Sequence, residues 1–130
     1  MERHIYATGT PWEPIVGYSR AVRVGEQVFV AGTTATDTDG RVVGAGDPYA
    51  QAVQIFSNIG AALERAGARF DHVVRTRIFV TDVAHWEAVG RAHGEIFRDI
   101  RPASTLVQIS ALVDPAMLVE IEVDAVIHET

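Results

Sequence analysis

The chain has 130 residues, of which 48% are hydrophobic, so it can bury one core but is too short for separate cofactor and substrate domains. Its 17 acidic and 11 basic residues give a net charge of −6, a sign that opposes binding to phosphate backbones and argues against a nucleic-acid partner. The absence of cysteine excludes disulfides, thiolate nucleophiles and metal sites built on sulfur.

The N-terminal residues are polar and contain no apolar run long enough for a signal peptide. No stretch of the sequence approaches the roughly 18 apolar residues that a membrane helix needs. We therefore expect a cytoplasmic protein that has no membrane partner.

The first third of the chain predicts a hairpin between two loops. Two prolines in residues 9–14 favour a loop, because proline removes a backbone donor and fixes φ. Short β-branched and aromatic runs at 21–24 and 27–31 flank a Gly-Glu pair and predict two strands. Residues 34–46 are rich in Asp and Gly and predict a loop, with room for a short strand at 41–43.

A long helix is predicted over residues 48–66. Asp47 is a good N-cap, Pro48 suits the first helical position, and Gly67 is a typical C-terminal stop. Apolar residues recur at spacings of three and four and form one buried stripe: Ala52, Ile55, Phe56, Ile59, Leu63 and Ala66.

The second half predicts a strand at 73–80, a helix capped by Asp82, and strands at 105–110 and 118–127. The helix has an inward stripe of Trp86, Val89, His93, Ile96 and Phe97. The order ββαβαββ is typical of an α+β fold in which two helices pack on one face of a mixed sheet. We assign residues 1–130 to this single domain.

The last strand separates apolar and acidic residues onto opposite faces, because side chains alternate along a strand. Its acidic row is Glu120, Glu122 and Asp124, and Arg75 and Arg77 share a face of the earlier strand. The row could be a solvated surface with weak ion pairs, or it could be covered by another subunit and tuned for chemistry.

Other catalytic and cofactor motifs are missing from the sequence. The five histidines show no H-x-x-x-H pair, so we predict no metal site; they are His4, His72, His85, His93 and His128. The glycines at 40, 44 and 46 do not form a phosphate-binding fingerprint, so no nucleotide cofactor is expected. There is no Gly-x-Ser-x-Gly elbow of a serine hydrolase.

Taken together, several segments resemble the Rid family of reactive intermediate deaminases, also called YjgF-like or L-PSP proteins. The matching segments are Gly17-Tyr-Ser-Arg-Ala21, Val28-Phe-Val-Ala-Gly32, Leu63-Glu-Arg-Ala-Gly67, Arg77-Ile-Phe-Val-Thr-Asp82, Arg101-Pro-Ala103 and Val119-Glu-Ile-Glu122. The resemblance implies a chorismate-mutase-like fold, a barrel-like homotrimer and three clefts between subunits. It also implies hydrolysis of 2-imino or 2-enamino acids to 2-keto acids and ammonia, without metal or organic cofactor.

The resemblance assigns cleft roles to three residues. It implies that Tyr18 lines the cleft, that Gly32 offers backbone contacts and that Glu120 positions the attacking water. From the residues alone, Glu120 could equally be a general base or an ion-pair partner of Arg75 or Arg77. Tyr18 could likewise be a cleft wall or a cover for the hairpin core.

The sequence departs from the active deaminases at the residue that binds the substrate carboxylate. Their arginine after Pro-Ala falls on Ser104, which is followed by Thr105, so the charged clamp is absent at its place. Arg101 or Arg20 could replace it, or the two hydroxyl groups could hold a neutral or smaller polar group. The resemblance is therefore to an arginine-lacking branch of the family.

Two further family positions fall on the second helix, at Gly90 and His93. A histidine on an apolar stripe could be a core residue or, at this position, a cleft residue. Gly90 and Gly94 reduce helix propensity, which suggests close approach of backbone or ligand, or simply loose packing.

These observations lead to two functional hypotheses. The first is a homotrimer that binds a small polar metabolite between subunits and hydrolyses an imine-like or related bond through Glu120. The second is a non-catalytic ligand-binding or sensing protein on the same scaffold. A ribonuclease is disfavoured by the acidic charge.

Overall fold

A six-stranded mixed sheet forms the centre of the protein in a computed structural model that describes residues 1–129. Its strands are β1 (Arg3–Tyr6), β2 (Ala21–Val24), β3 (Gln27–Thr33), β4 (Val73–Val80), β5 (Ala103–Gln108) and β6 (Val119–Val126). They lie in the order β1-β2-β3-β6-β4-β5, and neighbours are antiparallel except for the parallel pair β4 and β5. The C-terminal strand β6 is therefore central in the sheet.

Three helices accompany the sheet: α1 (Trp12–Val16), α2 (Pro48–Arg65) and α3 (Trp86–Phe97). The predicted start of α2 is confirmed, because the Asp47 carboxylate accepts a hydrogen bond of 3.0 Å from the N–H of Ala50, with Pro48 in the first turn. Asp82 caps a short 3₁₀ turn that leads into α3. No helix within residues 1–129 is long and apolar enough to cross a membrane.

The hydrophobic core lies between one face of the sheet and helices α2 and α3. All six residues of the predicted α2 stripe are buried. The apolar face of β6 is also buried, with exposures of 0% for Val119, Ile121 and Val123 and 1% for Ala125. In α3, Val89 and Phe97 are buried as predicted, but Trp86 is 56% exposed because it stands at the first turn of the helix. The α+β arrangement predicted from the alternating patterns is confirmed.

Two elements near the N-terminus were not predicted. Strand β1 is largely exposed, because backbone pairing with β2 at the sheet edge, rather than burial of side chains, holds it in place. The segment predicted as a loop over 9–14 contains α1, since Pro11 precedes the helix and Pro14 lies in its first turn, where a missing N–H costs little. The observed order is thus βαββαβαββ.

Two strand predictions need correction. Strand β5 begins at Ala103 and ends at Gln108, two residues earlier than predicted at both ends, because its parallel register with β4 starts at Arg75 opposite Ala103. The short strand suggested at 41–43 is reduced to a single bridge between Thr36 and Val42.

Helix α1 is held by a buried carboxylate. Glu13 is 5% exposed, and its oxygens accept hydrogen bonds from the Thr8 hydroxyl at 2.6 Å and the Thr10 hydroxyl at 2.8 Å. Burial raises the pKa of Glu13, but these hydrogen bonds outweigh it, so the pKa is lowered overall. The ionised side chain thereby fixes the segment that leads to Tyr18.

Candidate functional site

The face of the sheet opposite the helices carries ion pairs between β4 and β6. Arg77 stands across from Glu122 in the antiparallel register. Its Nη1 lies 3.2 Å from Glu122 Oε1 and 3.2 Å from Asp124 Oδ2, and Arg75 Nε lies 4.0 Å from Asp124 Oδ2. We call these four residues the ion-pair ladder; it confirms the predicted pairing of Glu122 and Asp124 with the β4 arginines.

Glu120 shares the acidic face but not the ladder. Its cross-strand neighbour in β4 is Phe79, so the predicted alternative of an ion pair with Arg75 or Arg77 is wrong. Burial raises the pKa of Glu120, the charge of Glu122 raises it further, and Arg20 partly offsets both. This half-buried carboxyl group is therefore poised to hold or take a proton.

A β-bulge brings a glycine backbone against the carboxyl group of Glu120. The pairing of β3 with β6 shifts register between Val30 and Thr33. A Cβ atom at Gly32 would lie 2.9 Å from Glu120 Cδ, so a larger residue would displace the carboxyl group. The structure thus brings together two of the predicted site residues, Gly32 and Glu120.

Arg20 is fixed beside this pair. Its Nη2 donates to the carbonyl oxygen of Gly32 at 2.9 Å, and its Nη1 donates to Thr33 Oγ1 at 3.2 Å. Its Nε is buried and has no hydrogen-bond partner among the described residues. A cationic group is therefore held next to Glu120 by the backbone of the bulge.

Tyr18 follows the end of α1 and lies two residues before Arg20 in the chain. Gly17 ends that helix with a φ of 88°, a left-handed conformation that favours glycine. The N–H groups of Gly17 and Tyr18 donate to the Glu13 carbonyl oxygen at 2.8 Å and 3.0 Å. The Tyr18 side chain is 38% exposed, which leaves its ring accessible next to Arg20 in the chain.

A second group of predicted residues lies on the helix-covered side of the sheet. His93 Nε2 is 2.9 Å from Thr76 Oγ1, and Thr76 donates to Ser104 Oγ at 2.7 Å. Thr76 is fully buried, whereas Ser104 is exposed at the sheet edge. His93 also packs against the rings of Phe56 and Phe97, with centroid distances of 5.9 Å and 4.6 Å. It is therefore both a core residue and a polar contact.

The glycines beside His93 do not serve close packing within the chain. A Cβ atom at Gly90 or Gly94 would meet nothing within 4 Å. The expectation that the backbone of this chain approaches them closely is wrong, because this face of α3 looks onto open space. The open space adjoins the His93 turn of the helix.

The last two predicted binding residues lie elsewhere. Arg101 has a φ of 56° and lines a separate depression with Asp71, Asp99 and His128, at the opposite end of β4 from Phe79. Thr105 stands beside Arg77 in the β4–β5 register, on the ladder side of the sheet. The depression that Arg101 lines includes neither Glu120 nor Ser104, and Thr105 lies on the face of β5 opposite to that of Ser104.

An open depression lies beside Glu120, between the ends of β4 and β6 and the loop that precedes β6. It is lined by Phe79, Ile109, Ala111, Leu112, Val113, Glu120 and Glu122. Residues 1–129 contain no group of three or more His, Asp or Glu side chains that could hold a metal ion. The arrangement is suited to proton transfer and hydrogen bonding.

Thr76 and Thr33 are the two site residues that sequence reasoning missed. Thr76 links His93 to Ser104, and Thr33 anchors Arg20. Thr76 lies between Arg75 and Arg77 on the face that alternation assigns to the core, where a hydroxyl group needs a partner. This inward threonine could therefore have been identified from the sequence. Thr33 could not, because the sequence does not indicate the β-bulge that brings it to Arg20.

Comparison with known proteins gives consistent matches over nearly the whole chain. The family model described as Endoribonuclease L-PSP matches residues 8–127. An uncharacterized protein of Streptomyces coelicolor is 41% identical over 118 residues, which cover 91% of this chain and 87% of that protein.

Two solved structures extend the match to the fold. A member of the YjgF/YER057c/UK114 family from Mycobacterium tuberculosis is 44% identical, with a TM-score of 0.89 and coverage of 97% of this chain and 100% of that one. RidA from an Antarctic Psychrobacter is 32% identical, with a TM-score of 0.79 and coverage of 85% and 88%. The sheet and helices described above are therefore shared with both structures.

Proposed function

The chain belongs to the Rid (YjgF-like, L-PSP) family, and on that premise we propose that it is a cytoplasmic homotrimer that binds a small polar metabolite between subunits. Within this cleft Glu120 promotes hydrolysis of an imine-like or enamine-like C–N bond. The assembly has the chorismate-mutase-like, barrel-like form that the sequence resemblance implies.

The observation that carries this proposal is the state of Glu120. Its carboxyl group is half-buried, lies against Gly32 and has a raised pKa, whereas Glu122 on the same face is paired with Arg77. A carboxylate that is not used in an ion pair, and whose pKa is shifted toward neutrality, is suited to general-base work.

The chemistry needs only one base and one water molecule. Glu120 takes a proton from the water as its oxygen attacks the imine carbon, and it returns that proton to the imine nitrogen, which gives a neutral tetrahedral carbinolamine. Glu120 then takes the hydroxyl proton of the carbinolamine and passes it to the nitrogen as the C=O bond forms and the C–N bond breaks, so that a carbonyl compound and ammonia leave. Arg20 lies close enough to lower the pKa of Glu120 and keeps part of the carboxyl population ionised.

A cleft between subunits would explain why the predicted residues form two groups. Glu120, Gly32 and the neighbouring Arg20 meet at the β3 bulge, whereas His93 and Ser104 meet at the β5 edge. Within residues 1–129 the ladder arginines remain partly exposed, and β5 pairs only with β4. Association of subunits through this face would cover the ladder and could bring the two groups together.

Ser104 limits the activity expected on 2-imino acids. A hydroxyl group replaces the charge-assisted fork that an arginine would offer a carboxylate. The difference corresponds to about 1.5–3 kcal/mol of binding free energy, so we expect weak turnover of these compounds. The same observation favours a second candidate, a non-catalytic ligand-binding protein.

The test is ammonia release from short-chain and aromatic 2-imino acids generated in situ, with wild type, Glu120→Gln and Ser104→Arg compared. Turnover by wild type that is lost in Glu120→Gln supports the hydrolase. Absence of wild-type turnover, with a gain in Ser104→Arg, supports the binding protein. Sedimentation equilibrium tests the trimer separately: a monomer at micromolar concentration would contradict the intersubunit cleft.

The proposal does not include RNA cleavage, although the description of the family model names it. The net charge of −6 and the acidic row on β6 oppose a phosphate backbone.

A further inference from the structure

Three uncharged side chains form a continuous hydrogen-bonded chain from α3 to the edge of the sheet. His93 Nε2 contacts Thr76 Oγ1 at 2.9 Å, and Thr76 contacts Ser104 Oγ at 2.7 Å. Burial lowers the pKa of His93, so its imidazole is neutral near pH 7. The chain thus presents an oriented hydroxyl group without a charge.

The tautomer of His93 decides the direction of these hydrogen bonds. A threonine hydroxyl has one proton, so Thr76 can donate it either to Ser104 or to His93. With hydrogen on Nε2, His93 donates to Thr76 and Thr76 donates to Ser104. The proton of Ser104 is then free to be donated to another molecule.

The surroundings of Ser104 leave room for such a molecule. Ser104 is exposed, and β5 pairs only with β4 in the described chain. On α3, added Cβ atoms at Gly90 and Gly94 would meet nothing within 4 Å. Open space therefore adjoins the helix turn that carries His93.

The charges of the proposed cleft are already balanced without a ligand. The acidic row carries three carboxyl groups, and three arginines face it: Glu120, Glu122 and Asp124 with Arg20, Arg75 and Arg77. The Nη atoms of Arg20 are also hydrogen-bonded to Gly32 and Thr33. A ligand carboxylate would therefore add a negative charge to a set of side chains that is already neutral.

We propose that Ser104 is a ligand-binding residue that selects an uncharged carbonyl or carboxamide group, and that Thr76 and His93, with the hydrogen of His93 on Nε2, are positioning residues that fix the direction of its hydroxyl group. This inference rests on the ligand-binding cleft of the proposed function and narrows its ligand class. Substrates then carry a neutral amide or ketone where a 2-imino acid carries its carboxylate.

The test uses pyruvamide and pyruvate, which differ in one functional group, as probes followed by amide chemical shifts on titration. Wild type should bind pyruvamide at least about fivefold more tightly than pyruvate. Ser104→Ala and Thr76→Val should each lose about fivefold in pyruvamide binding, and Thr76→Ser should restore it. Ser104→Arg should reverse the preference, while Ser57→Ala on the solvent side of α2 should match wild type.

A second readout separates positioning from mere packing. In wild type, ¹⁵N-labelled His93 should show the Nε2–H tautomer; Thr76→Val should allow the other tautomer, and Thr76→Ser should restore the first. Since Ser104 is exposed, Ser104→Ala tests the ligand contact even if Thr76→Val does not fold.

Any of three results would overturn the inference. Wild type could bind pyruvate as tightly as pyruvamide or more tightly, wild type could bind neither probe, or Ser104→Ala could bind pyruvamide as tightly as wild type. Glu120→Gln keeps the two proposals distinguishable. Ammonia release that needs Glu120 but is indifferent to Ser104→Ala removes the inference and leaves the hydrolase. Tighter binding of pyruvamide than of pyruvate, without any ammonia release, supports the inference and removes the hydrolase.

Discussion

Glu120 and Glu122 stand two residues apart on the same face of β6, yet their surroundings differ. Glu122 faces Arg77 across the sheet, with 3.2 Å between the charged atoms. Glu120 faces Phe79 and lies against Gly32, with a raised pKa caused first by burial. Two identical side chains in one alternating pattern thus acquire a structural role and a proposed chemical role.

Alternation along a strand determines which face of the sheet a side chain lies on. The residues of the neighbouring strands then determine whether that side chain is paired or left available for chemistry. The antiparallel register of β4 places arginine at one position and phenylalanine two residues on. The bulge in β3 then brings backbone rather than a side chain against Glu120. Substitutions at Phe79 and Gln51 should weaken this difference, and substitutions at Arg77, Glu120 and Glu122 should measure its energy.

The largest effect is expected from Phe79→Arg, which gives Glu120 the kind of cross-strand partner that Glu122 has. The new cation should lower the pKa of Glu120 and tie up its carboxylate. If Glu120 is the base, ammonia release should fall roughly 100-fold, the scale of a general-base contribution. Phe79→Leu is the control and should keep most of the turnover; equal loss in both variants would point to packing instead.

Gln51→Leu should loosen the Glu120 end of β6. Gln51 is fully buried; its Nε2 donates to the carbonyl oxygen of Ala116 at 2.9 Å, and its Oε1 accepts from the Leu118 N–H at 2.9 Å. Leucine leaves both backbone groups unsatisfied, so the free energy of unfolding should fall by about 2–3 kcal/mol.

Hydrogen exchange locates that effect. The amide of Glu120 should exchange faster in Gln51→Leu, and that of Asp124, at the ladder end of the strand, should change less. Uniform acceleration along β6 would show that Gln51 supports the whole domain rather than this end. Denaturant midpoints give the free energy, with Gln54→Leu on the same helix as the control.

Arg77→Gln should remove most of the ladder. Because Arg77, Glu122 and Asp124 are each partly exposed, we expect a loss of only about 1 kcal/mol in unfolding free energy. Arg75→Gln should cost less, since Arg75 makes one contact at 4.0 Å. Chemical denaturation of the two variants checks the ranking, and equal losses would contradict the assigned contacts.

The smallest effect is expected on stability: Glu120→Gln and Glu122→Gln should change the free energy of unfolding in opposite directions. The folded-state pKa of Glu120 is raised, so its contribution to stability is greatest at low pH and is lost as pH rises through that folded value. At pH 7, Glu120→Gln should therefore be slightly more stable than wild type, and Glu122→Gln slightly less, each by under about 1 kcal/mol. Thermal unfolding at pH 4 and pH 7 checks this: the gain in Glu120→Gln should shrink at pH 4.

Much of the fold could be predicted because periodic apolar residues determine which surfaces are buried. The stripe of α2 and the inward face of β6 follow directly from their spacings of three or four and of two. By contrast, β1 and α1 escaped prediction because edge pairing and a cradle around Glu13, rather than apolar periodicity, hold them in place.

The sequence could predict which residues belong to the site, but it could not predict which of them contact one another. Glu120 and Gly32 were identified through the family resemblance, and their approach depends on a bulge that the sequence does not signal. The partnership of His93 with Ser104 runs through Thr76, which links an α3 residue to an edge strand. Such contacts depend on strand register, which alternation alone does not specify.

The most direct test of Glu120 as the base is a ¹³C carboxyl NMR titration of the wild-type protein, with the Glu120 resonance assigned by its loss in Glu120→Gln. We expect Glu120 to titrate with a pKa above the ordinary glutamate value, because burial and the charge of Glu122 disfavour the ionised form. Glu122→Gln should lower this pKa. A midpoint for Glu120 at or below the ordinary value would show that its carboxylate is paired or solvated, and would contradict the base assigned here.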